Sequence, residues 1–207
     1  DWKYMEEFMM NIEKKVISKI NYLNFIKGNQ TSIDVSKWKR FNLYDINLFE
    51  ISSGNKFDRS KMQSTNPTVN FVGRSGKING VTCEVDVIDG IKPFTAGSMT
   101  IALGGNIGSC FIQKKDFYTS QNVIVLIPRW EMNEEVKLFI SSVIFRESQM
   151  YYKTFEDELN RHISTDFSIM LPVDTNDIPD WNFMKNFIET INRKSEERIR
   201  VLKDYFS

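Results

Sequence analysis

The stretch Pro179-Asp180-Trp181-Asn182-Phe183-Met184 opens a long helix and sets the organisation of this sequence. Proline ends the preceding loop, and Asp180 is a residue type that caps helices by accepting a hydrogen bond from a backbone amide. Apolar side chains then recur at helical spacing, which places them on one stripe. They are Trp181, Met184, Ile188, Ile191, Ile199, Leu202 and Phe206. The pattern predicts a helix within residues 179–207.

The segment 1–27 carries the same kind of stripe. It is made of Trp2, Met5, Met9, Ile12, Val16, Ile20, Leu23 and Ile26. Gly28 follows it, and a glycine just beyond the last turn is typical of a helix end. At 1.5 Å per residue such a helix is roughly 40 Å long. A lone helix with an apolar stripe of this length needs a partner to cover it.

The two helical segments form an internal repeat, because Asp1 aligns with Asp180 and the alignment continues without a gap. The identical pairs are Asp1/Asp180, Trp2/Trp181, Met5/Met184, Phe8/Phe187, Ile12/Ile191, Lys15/Lys194, Ile20/Ile199 and Leu23/Leu202. An offset of one domain's length indicates duplication of a whole unit, and the two helices are expected to pack together. The alternative is two unrelated amphipathic helices that share Met and Ile.

Between the helices the pattern changes to short β-rich runs separated by turn residues. The predicted strands are 70–73, 81–87, 98–103, 110–113, 123–127 and 167–171. Asn133 is expected to cap one helix, whose first turn holds Glu134 and Glu135 in favourable positions for the helix dipole. Strands in this order predict an α+β domain with a mainly antiparallel or mixed sheet rather than a βαβ repeat.

Composition excludes several functional classes. The 207 residues include 27 basic and 27 acidic side chains, which argues against a polybasic coat for nucleic acid or for a membrane surface. The apolar runs are too short to span a bilayer, and no leader peptide is visible. Cys83 and Cys110 form no disulfide framework or metal-binding spacing. A cytoplasmic protein without a metal site and without a membrane partner is expected, and Asp1 suggests a processed or excised chain.

We find no convincing catalytic pattern. A Ser or Cys nucleophile needs a base, and the single histidine, His162, lies in a polar stretch typical of a surface loop. The acidic run 156–158 is typical of a solvated helix start. The glycine-rich stretch 103–108 lacks the following helix and the acidic residue of a dinucleotide site, so a strand-to-strand turn is the better interpretation. We therefore expect a non-catalytic chain.

Local charge is the feature that points to a function. Between residues 51 and 83 there are five basic residues and a single acid, Asp58, among many Ser, Asn and Gln. Two further polar and aromatic runs occupy 113–122 and 149–154. Arg, Lys, Asn and Gln carry the donors and acceptors that match phosphates and base edges. Solvated loops without a ligand remain the alternative for all three runs.

Several ordered pieces of the sequence resemble one family. Trp38-Lys39-Arg40-Phe41-Asn42-Leu43-Tyr44-Asp45, followed by Leu48-Phe49-Glu50-Ile51-Ser52-Ser53-Gly54-Asn55, resembles the opening of a target recognition domain. Phe71-Val72-Gly73, Ile78–Val81, Ile101–Gly108, Ser120–Val123 and Ile169–Asp174 then follow in the same order, up to Pro179-Asp180-Trp181. Such domains occur in the DNA-specificity (S) subunits of type I and type IIB restriction–modification systems.

The resemblance implies sequence-specific recognition of double-stranded DNA by a chain without catalytic activity of its own. It implies partner methyltransferase subunits that bind S-adenosylmethionine, a restriction subunit as a further partner, and no cofactor in this chain. It also implies a recognition domain at 28–178, with helices 1–27 and 179–207 in an antiparallel coiled coil. A coiled-coil module that binds protein is the alternative function, and self-association through the helices is a further expectation.

The site residues follow from the polar runs and from the stripes. We expect DNA contacts from Lys56, Arg59, Lys61, Arg74, Lys77, Asn79, Asn106, Lys114, Lys115, Tyr118, Gln121, Tyr152 and Lys153. We expect helix pairing through Trp2, Met5, Met9, Ile12, Ile20, Leu23, Trp181, Met184, Ile188, Ile191, Ile199 and Leu202.

Overall fold

The computed structural model describes residues 1–27, 33–44, 48–152 and 159–206. The helices are α1 (Trp2–Lys27), α2 (Glu134–Tyr151), α3 (Leu159–His162) and α4 (Trp181–Phe206). The strands are β1 (Lys39–Asn42), β2 (Phe49–Ser52), β3 (Val69–Val72), β4 (Val81–Val85), β5 (Met99–Ala102), β6 (Cys110–Ile112), β7 (Phe117–Thr119), β8 (Val123–Pro128) and β9 (Ser168–Leu171). The chain divides into two compact units: Ser36–Glu189, called the globular unit below, and Asp1–Val35 with Thr190–Ser207.

The core of the globular unit lies between a four-stranded antiparallel sheet and α2. The sheet has the order β2-β8-β5-β6, and Ile101 in β5 pairs with Ile124 of β8 on one side and with Cys110 of β6 on the other. Both Ile101 and Ile140 of α2 are fully buried in the same apolar cluster. Since β5 and β8 are buried on both faces, they appear in the sequence as continuous apolar runs rather than alternating ones.

A second sheet has the order β4-β3-β7 and is mixed. Strand β3 pairs with β4 antiparallel and with β7 parallel, and β1 pairs separately with β9. The prediction of an α+β domain with a mixed sheet is therefore confirmed. The glycine-rich stretch 103–108 joins the antiparallel strands β5 and β6, as expected for a strand-to-strand turn.

Helices α2 and α4 begin where the sequence predicts them. Asn133 accepts a hydrogen bond from the Val136 amide at 3.0 Å, and Asp180 accepts one from the Phe183 amide at 2.8 Å. Such side-chain caps satisfy amides that have no partner within the helix, which fixes the first residue of each helix.

The first two turns of α4 belong to the globular core, which corrects part of the helix-pairing prediction. Met184 is 0% exposed, Ile188 packs against the same apolar cluster, and the Trp181 ring meets the Trp130 ring edge-on at 5.2 Å. Met184 is therefore not available for pairing, whereas Trp181 and Ile188 are half-buried and contribute only part of their surface to the core. Further along α4, Ile191 and Ile199 are exposed and Leu202 is half-buried.

The apolar stripe of α1 is exposed to solvent from Trp2 to Ile20. Trp2 is 86% exposed, and the other stripe residues whose side chains are described, Met5, Met9, Ile12, Val16 and Ile20, are exposed as well. The Leu23 side chain lies outside the described residues. Pairing of the two long helices stays a prediction. Over the part of the chain that the structure describes, no helix combines the length and the apolar character needed to cross a membrane.

Candidate nucleic-acid interface

Four loops of the globular unit converge on one surface. They are residues 53–59, 73–80, 104–108 and 120–122, and we call this region the four-loop surface. Gln121 lies at its middle, because it lines one pocket with Lys56 and a neighbouring pocket with Arg59 and Arg74. The Asn106 amide reaches the Arg74 carbonyl at 3.3 Å, which joins loop 104–108 to loop 73–80.

The loop 53–59 is tied to the end of β7 by reciprocal hydrogen bonds. The Asn55 amide donates to Thr119 Oγ1 at 2.8 Å, and the Thr119 amide donates to Asn55 Oδ1 at 3.1 Å. Gly54 has a φ of +70°, and a Cβ there would clash with Thr119 Oγ1 and lie 2.7 Å from the Val123 carbonyl. Only glycine allows this close approach, so Lys56 and Arg59 are presented in a defined place.

Arg74 lies over the glycine-rich turn. A Cβ at Gly104 would lie 3.6 Å from Arg74 Nη1, and the Asn106 side chain packs where a Cβ of Gly76 would point. The Asn106 Nδ2 is 3.4 Å from the Arg74 carbonyl. The backbone at Arg74 is thereby fixed while its guanidinium stays exposed.

Basic side chains give the four-loop surface a positive charge. Among the described residues, Lys56, Arg59, Arg74 and Lys77 take part in no ion pair, and all four side chains are exposed. One carboxylate lies among them, on Asp58. Uncompensated cations on a concave polar surface are typical of sites for phosphate-rich ligands.

Hydrogen bonds within its own turn lower the pKa of Asp58. Its carboxylate accepts hydrogen bonds from the Ser60 amide at 3.0 Å and from Ser60 Oγ at 2.9 Å. These two bonds lower the pKa of Asp58 below its ordinary value, and Lys61 lowers it further. The carboxylate caps the short 3-10 turn Arg59–Lys61, so its role is to shape this loop.

The structure brings seven of the predicted DNA-contacting residues onto the four-loop surface. They are Lys56, Arg59, Arg74, Lys77, Asn79, Asn106 and Gln121, all exposed. Lys61 is also exposed and ends the 3-10 turn just beyond this surface. Asn106 differs from the others because its side chain supports the backbone of Arg74.

Lys114 and Lys115 are exposed but already paired with carboxylates. Lys114 forms an ion pair with Glu134, and Lys115 Nζ lies 2.7 Å from Glu84 Oε1. Exposed ion pairs of this kind are weak, so a phosphate can compete for the lysines. Each of these lysines, taken together with its carboxylate, nevertheless contributes less positive potential than a cation of the four-loop surface that has no described ion-pair partner.

Tyr118 requires a correction, since its side chain is 0% exposed. Its hydroxyl donates a hydrogen bond to the Ile91 carbonyl at 2.5 Å and accepts one from the Ile88 amide at 3.2 Å. The ring meets Phe57 edge-on at 5.6 Å in the core of the second sheet. Tyr118 holds the segment 88–91 in place and cannot reach a nucleic acid.

The third polar run touches the four-loop surface through Gln149, whose Nε2 donates a hydrogen bond to the Ile107 carbonyl of loop 104–108 at 2.7 Å. The half-buried Tyr152 ring lies between His162 at 5.2 Å and Phe167 at 5.6 Å, and it lines a separate pocket with Arg40 and Glu147. Lys153 lies outside the described residues. Tyr152 is therefore not part of the four-loop surface.

Ser120 and Asn122 belong to the polar run 113–122 of the sequence but were not among the residues selected as DNA contacts. Asn122 has a φ of +58° and lines the Lys56 pocket, while Ser120 lines the Arg74 pocket. An asparagine just before the apolar run of β8 is a turn signal, because asparagine tolerates the left-handed conformation. That signal was present in the sequence.

The arrangement offers hydrogen-bond donors, acceptors and positive charge. His162 lies outside it, with Nδ1 2.8 Å from Asp166 Oδ1 at the end of α3. The buried Cys110 thiol has its pKa raised by desolvation, which disfavours the nucleophilic thiolate. The carboxylates of Glu156, Asp157 and Glu158 lie outside the described residues. The chemistry visible on the four-loop surface is that of binding.

Comparison with known protein families gives a match over most of the chain. The model of the type I restriction modification DNA specificity domain matches residues 35–202. The type II restriction enzyme specificity subunit S.BcgI of Heyndrickxia coagulans is 25% identical over 167 residues, which are 80% of this chain and 47% of that protein. This chain therefore spans about half the length of that relative.

Solved structures share the fold at low sequence identity. The type I restriction–modification S subunit from M. genitalium matches with a TM-score of 0.53 at 13% identity, over 82% of this chain and 42% of that one. The HsdS subunit from Thermoanaerobacter tengcongensis matches with a TM-score of 0.54 at 13% identity, over 96% of this chain and 49% of that one.

Proposed function

The chain belongs to the family of type I restriction modification DNA specificity domains, and from that membership we propose that its four-loop surface recognises a specific sequence in duplex DNA. The observation that carries this proposal is the convergence of four exposed, unpaired cations with Asn and Gln side chains on loops fixed by the domain core. A rigid scaffold that presents polar loops is the usual arrangement of a recognition site.

The residues divide into two roles. Lys56, Arg59 and Lys77 contact phosphates, which supply affinity and fix the register of the domain on the duplex. Arg74 and Gln121 contact base edges in the major groove, where each base pair shows its own pattern of donors and acceptors. Arginine fits guanine and glutamine fits adenine, because each can form two hydrogen bonds to one base.

We further propose that the chain directs a separate enzyme to the site. Methyltransferase subunits bind S-adenosylmethionine and methylate an adenine that is flipped from the duplex, and a restriction subunit cleaves DNA. This chain supplies the recognition and no catalytic group. The binding surface described above and the family membership support this assignment.

The long helices act as a spacer in this proposal. The exposed stripe of α1 pairs antiparallel with a second long helix of the same kind, from a longer subunit or from a second copy of the chain. Each Leu- or Ile-sized side chain buried in that way contributes roughly 1.5–3 kcal/mol. A stiff helical pair fixes the distance between two recognition domains and hence between two half-sites.

The test is selection from a pool of random duplex DNA by the chain bound to its methyltransferase partner. We expect one short motif, methylated on adenine at a fixed position. A second selection with the Arg74→Ala/Gln121→Ala double variant should lose preference at specific positions of that motif. Recovery of no motif by the wild-type complex would contradict the proposed function and favour a protein-binding module.

A further inference from the structure

Ile78 has an unusual place on the four-loop surface. Its side chain is 82% exposed, at the tip of the loop that connects β3 and β4. Its backbone is left-handed with a φ of +52°, and Asn79 and Gly80 continue with φ values of +52° and +75°. A β-branched residue is the least suited to this conformation, because its Cβ substituents crowd the backbone. Strain of this kind marks positions where function sets the geometry.

The loop is held firmly in this shape. The Gly73 amide donates to the Gly80 carbonyl at 2.8 Å and closes the loop at its base. From below, Gln113 Nε2 donates to the Asn79 carbonyl at 2.9 Å and to Thr100 Oγ1 at 2.9 Å. Gln113 is itself 1% exposed. A buried amide therefore fixes the backbone next to Ile78 and keeps its side chain directed outward.

The surroundings of Ile78 are polar and positive. Segment 73–80 contains Arg74 and Lys77 and no acid, and Asn79 beside it is exposed. Ile78 belongs to none of the buried apolar clusters that the described residues form. Ile78 is thus an apolar side chain that follows two cations in its loop, contributes nothing to the core and is available to an external ligand.

We propose that Ile78 contacts the 5-methyl group of a thymine in the major groove and so determines specificity for an A·T pair, an inference that rests on the proposed function. Thymine is the base that offers an apolar group in the major groove, and apolar side chains recognise it there. Lys77, the residue next to Ile78, binds a neighbouring phosphate, which brings the tip of the loop down to the base edges.

The test replaces each thymine of the selected motif, one at a time, with deoxyuridine, which removes only the methyl group. The chain in complex with its methyltransferase should bind one such duplex about fourfold more weakly, the effect expected for loss of one buried methyl contact. With the variant Ile78→Ala, the thymine and deoxyuridine duplexes should bind equally. Fluorescence anisotropy at fixed salt measures both affinities.

The control is Ile178→Ala, because Ile178 is also a highly exposed loop isoleucine of the globular unit and lies in none of the four loops. This variant should keep the full deoxyuridine effect. If no thymine is sensitive, or if Ile78→Ala keeps the same sensitivity, the inference is wrong while the proposed function stands. Insertion of Ile78 as a wedge between bases would give that result. If the selection yields no motif, both the proposed function and this inference are wrong.

Discussion

Arg74 and Lys115 are two exposed cations with different surroundings. Arg74 takes part in no ion pair with any described residue, whereas Lys115 Nζ lies 2.7 Å from a carboxylate oxygen of Glu84. A phosphate that approaches Lys115 must displace that carboxylate. The same formal charge is therefore expected to contribute less to DNA binding at Lys115 than at Arg74.

Replacement of Arg74 by alanine should weaken binding of the target duplex by about 1–3 kcal/mol and relax preference at one base pair. Because Arg74 contacts a base, the slope of log affinity against log salt, which is no steeper than about −5 in the wild type, should change by less than about 1. Lys115→Ala is the matched control and should change the affinity and the base preference less. Salt titrations by fluorescence anisotropy measure them, and equal effects at the two positions would count against the four-loop surface.

Asp58 offers a substitution that should increase affinity. Asparagine also caps helical turns well, so Asp58→Asn keeps the turn at Arg59 while it removes the one carboxylate from the four-loop surface. We expect tighter DNA binding, by up to about tenfold at low salt, because one repulsive charge near the phosphates is lost. Asp58→Ala removes the cap as well and should gain less. Weaker binding by Asp58→Asn would show that the carboxylate itself contacts the ligand.

The lowered pKa of Asp58 determines how the stability of the turn at Arg59 depends on pH. Because hydrogen bonds from Ser60 hold the pKa of Asp58 below its ordinary value of 3.8, the cap is fully present above that value. It is lost as the pH falls through the lowered pKa of the folded state. The turn at Arg59 should therefore stay intact at neutral pH and loosen only in strong acid.

Substitution of Ile78 should impair DNA recognition without destabilising the fold. The left-handed conformation costs a β-branched residue roughly 1–2 kcal/mol, and asparagine tolerates it better. We expect Ile78→Asn to leave the free energy of unfolding unchanged or to raise it by up to about 1 kcal/mol. Ile178→Asn is the control and should bring no gain. Urea denaturation measures both, and a loss above about 1 kcal/mol at Ile78 would indicate a structural role.

At the level of single residues, the sequence predicted the charged members of the site better than the aromatic one. Arg74 and Gln121 sit in loops, where a polar side chain has few alternatives to solvent. Tyr118 was assigned to the surface because its neighbours Lys114, Lys115 and Asp116 are polar. It lies in a parallel strand of only three residues, whose burial depends on β3, far away in the sequence.

Among the elements, α4 contributes its first turns to the domain core and is expected to pair with another helix through its later turns. Comparison with the equivalent positions of α1 tests this division. Met184 is fully buried in the domain core, and its equivalent in the repeat, Met5, is 53% exposed. Met184→Ala should cost about 2–5 kcal/mol of unfolding free energy, while Met5→Ala should change it by less than about 0.5 kcal/mol in this chain. Urea denaturation of the two variants measures the difference. Equal losses would mean that the α1 stripe is already buried.

The long periodic helices and their caps were predictable from the sequence, and so were six short strands: β3, β4, β5, β6, β8 and β9. Strands β1, β2 and β7 were not predicted. The starts of α2 and α4 follow from Asn133 and Asp180, whose hydrogen bonds are local. Strands β1 and β2 have four residues each and pair with β9 and β8, which come much later in the chain. Their formation depends on those distant partners, so no local pattern in the sequence reveals them.

For the whole molecule, the exposed stripe of α1 predicts association. If α1 pairs with a second copy, sedimentation velocity of the isolated chain should show concentration-dependent dimers. The double variant Met9→Glu/Ile12→Glu should shift the chain to monomer, because it places charges in the apolar seam. The control Glu6→Gln/Glu13→Gln changes charges off the stripe and should still dimerise. A wild-type chain that is monomeric at all concentrations would contradict pairing with a second copy and would leave α4 of the same chain, or a helix of a longer subunit, as the partner of α1.

Hydrogen–deuterium exchange of the complex tests most directly whether the four-loop surface binds duplex DNA. Addition of the selected duplex should slow exchange in residues 53–59, 73–80, 104–108 and 120–122, and a scrambled duplex of equal length should slow it less. The segment 134–151 of α2 should not change. Protection confined to α2, or to the pocket of Arg40 and Tyr152, would contradict the account.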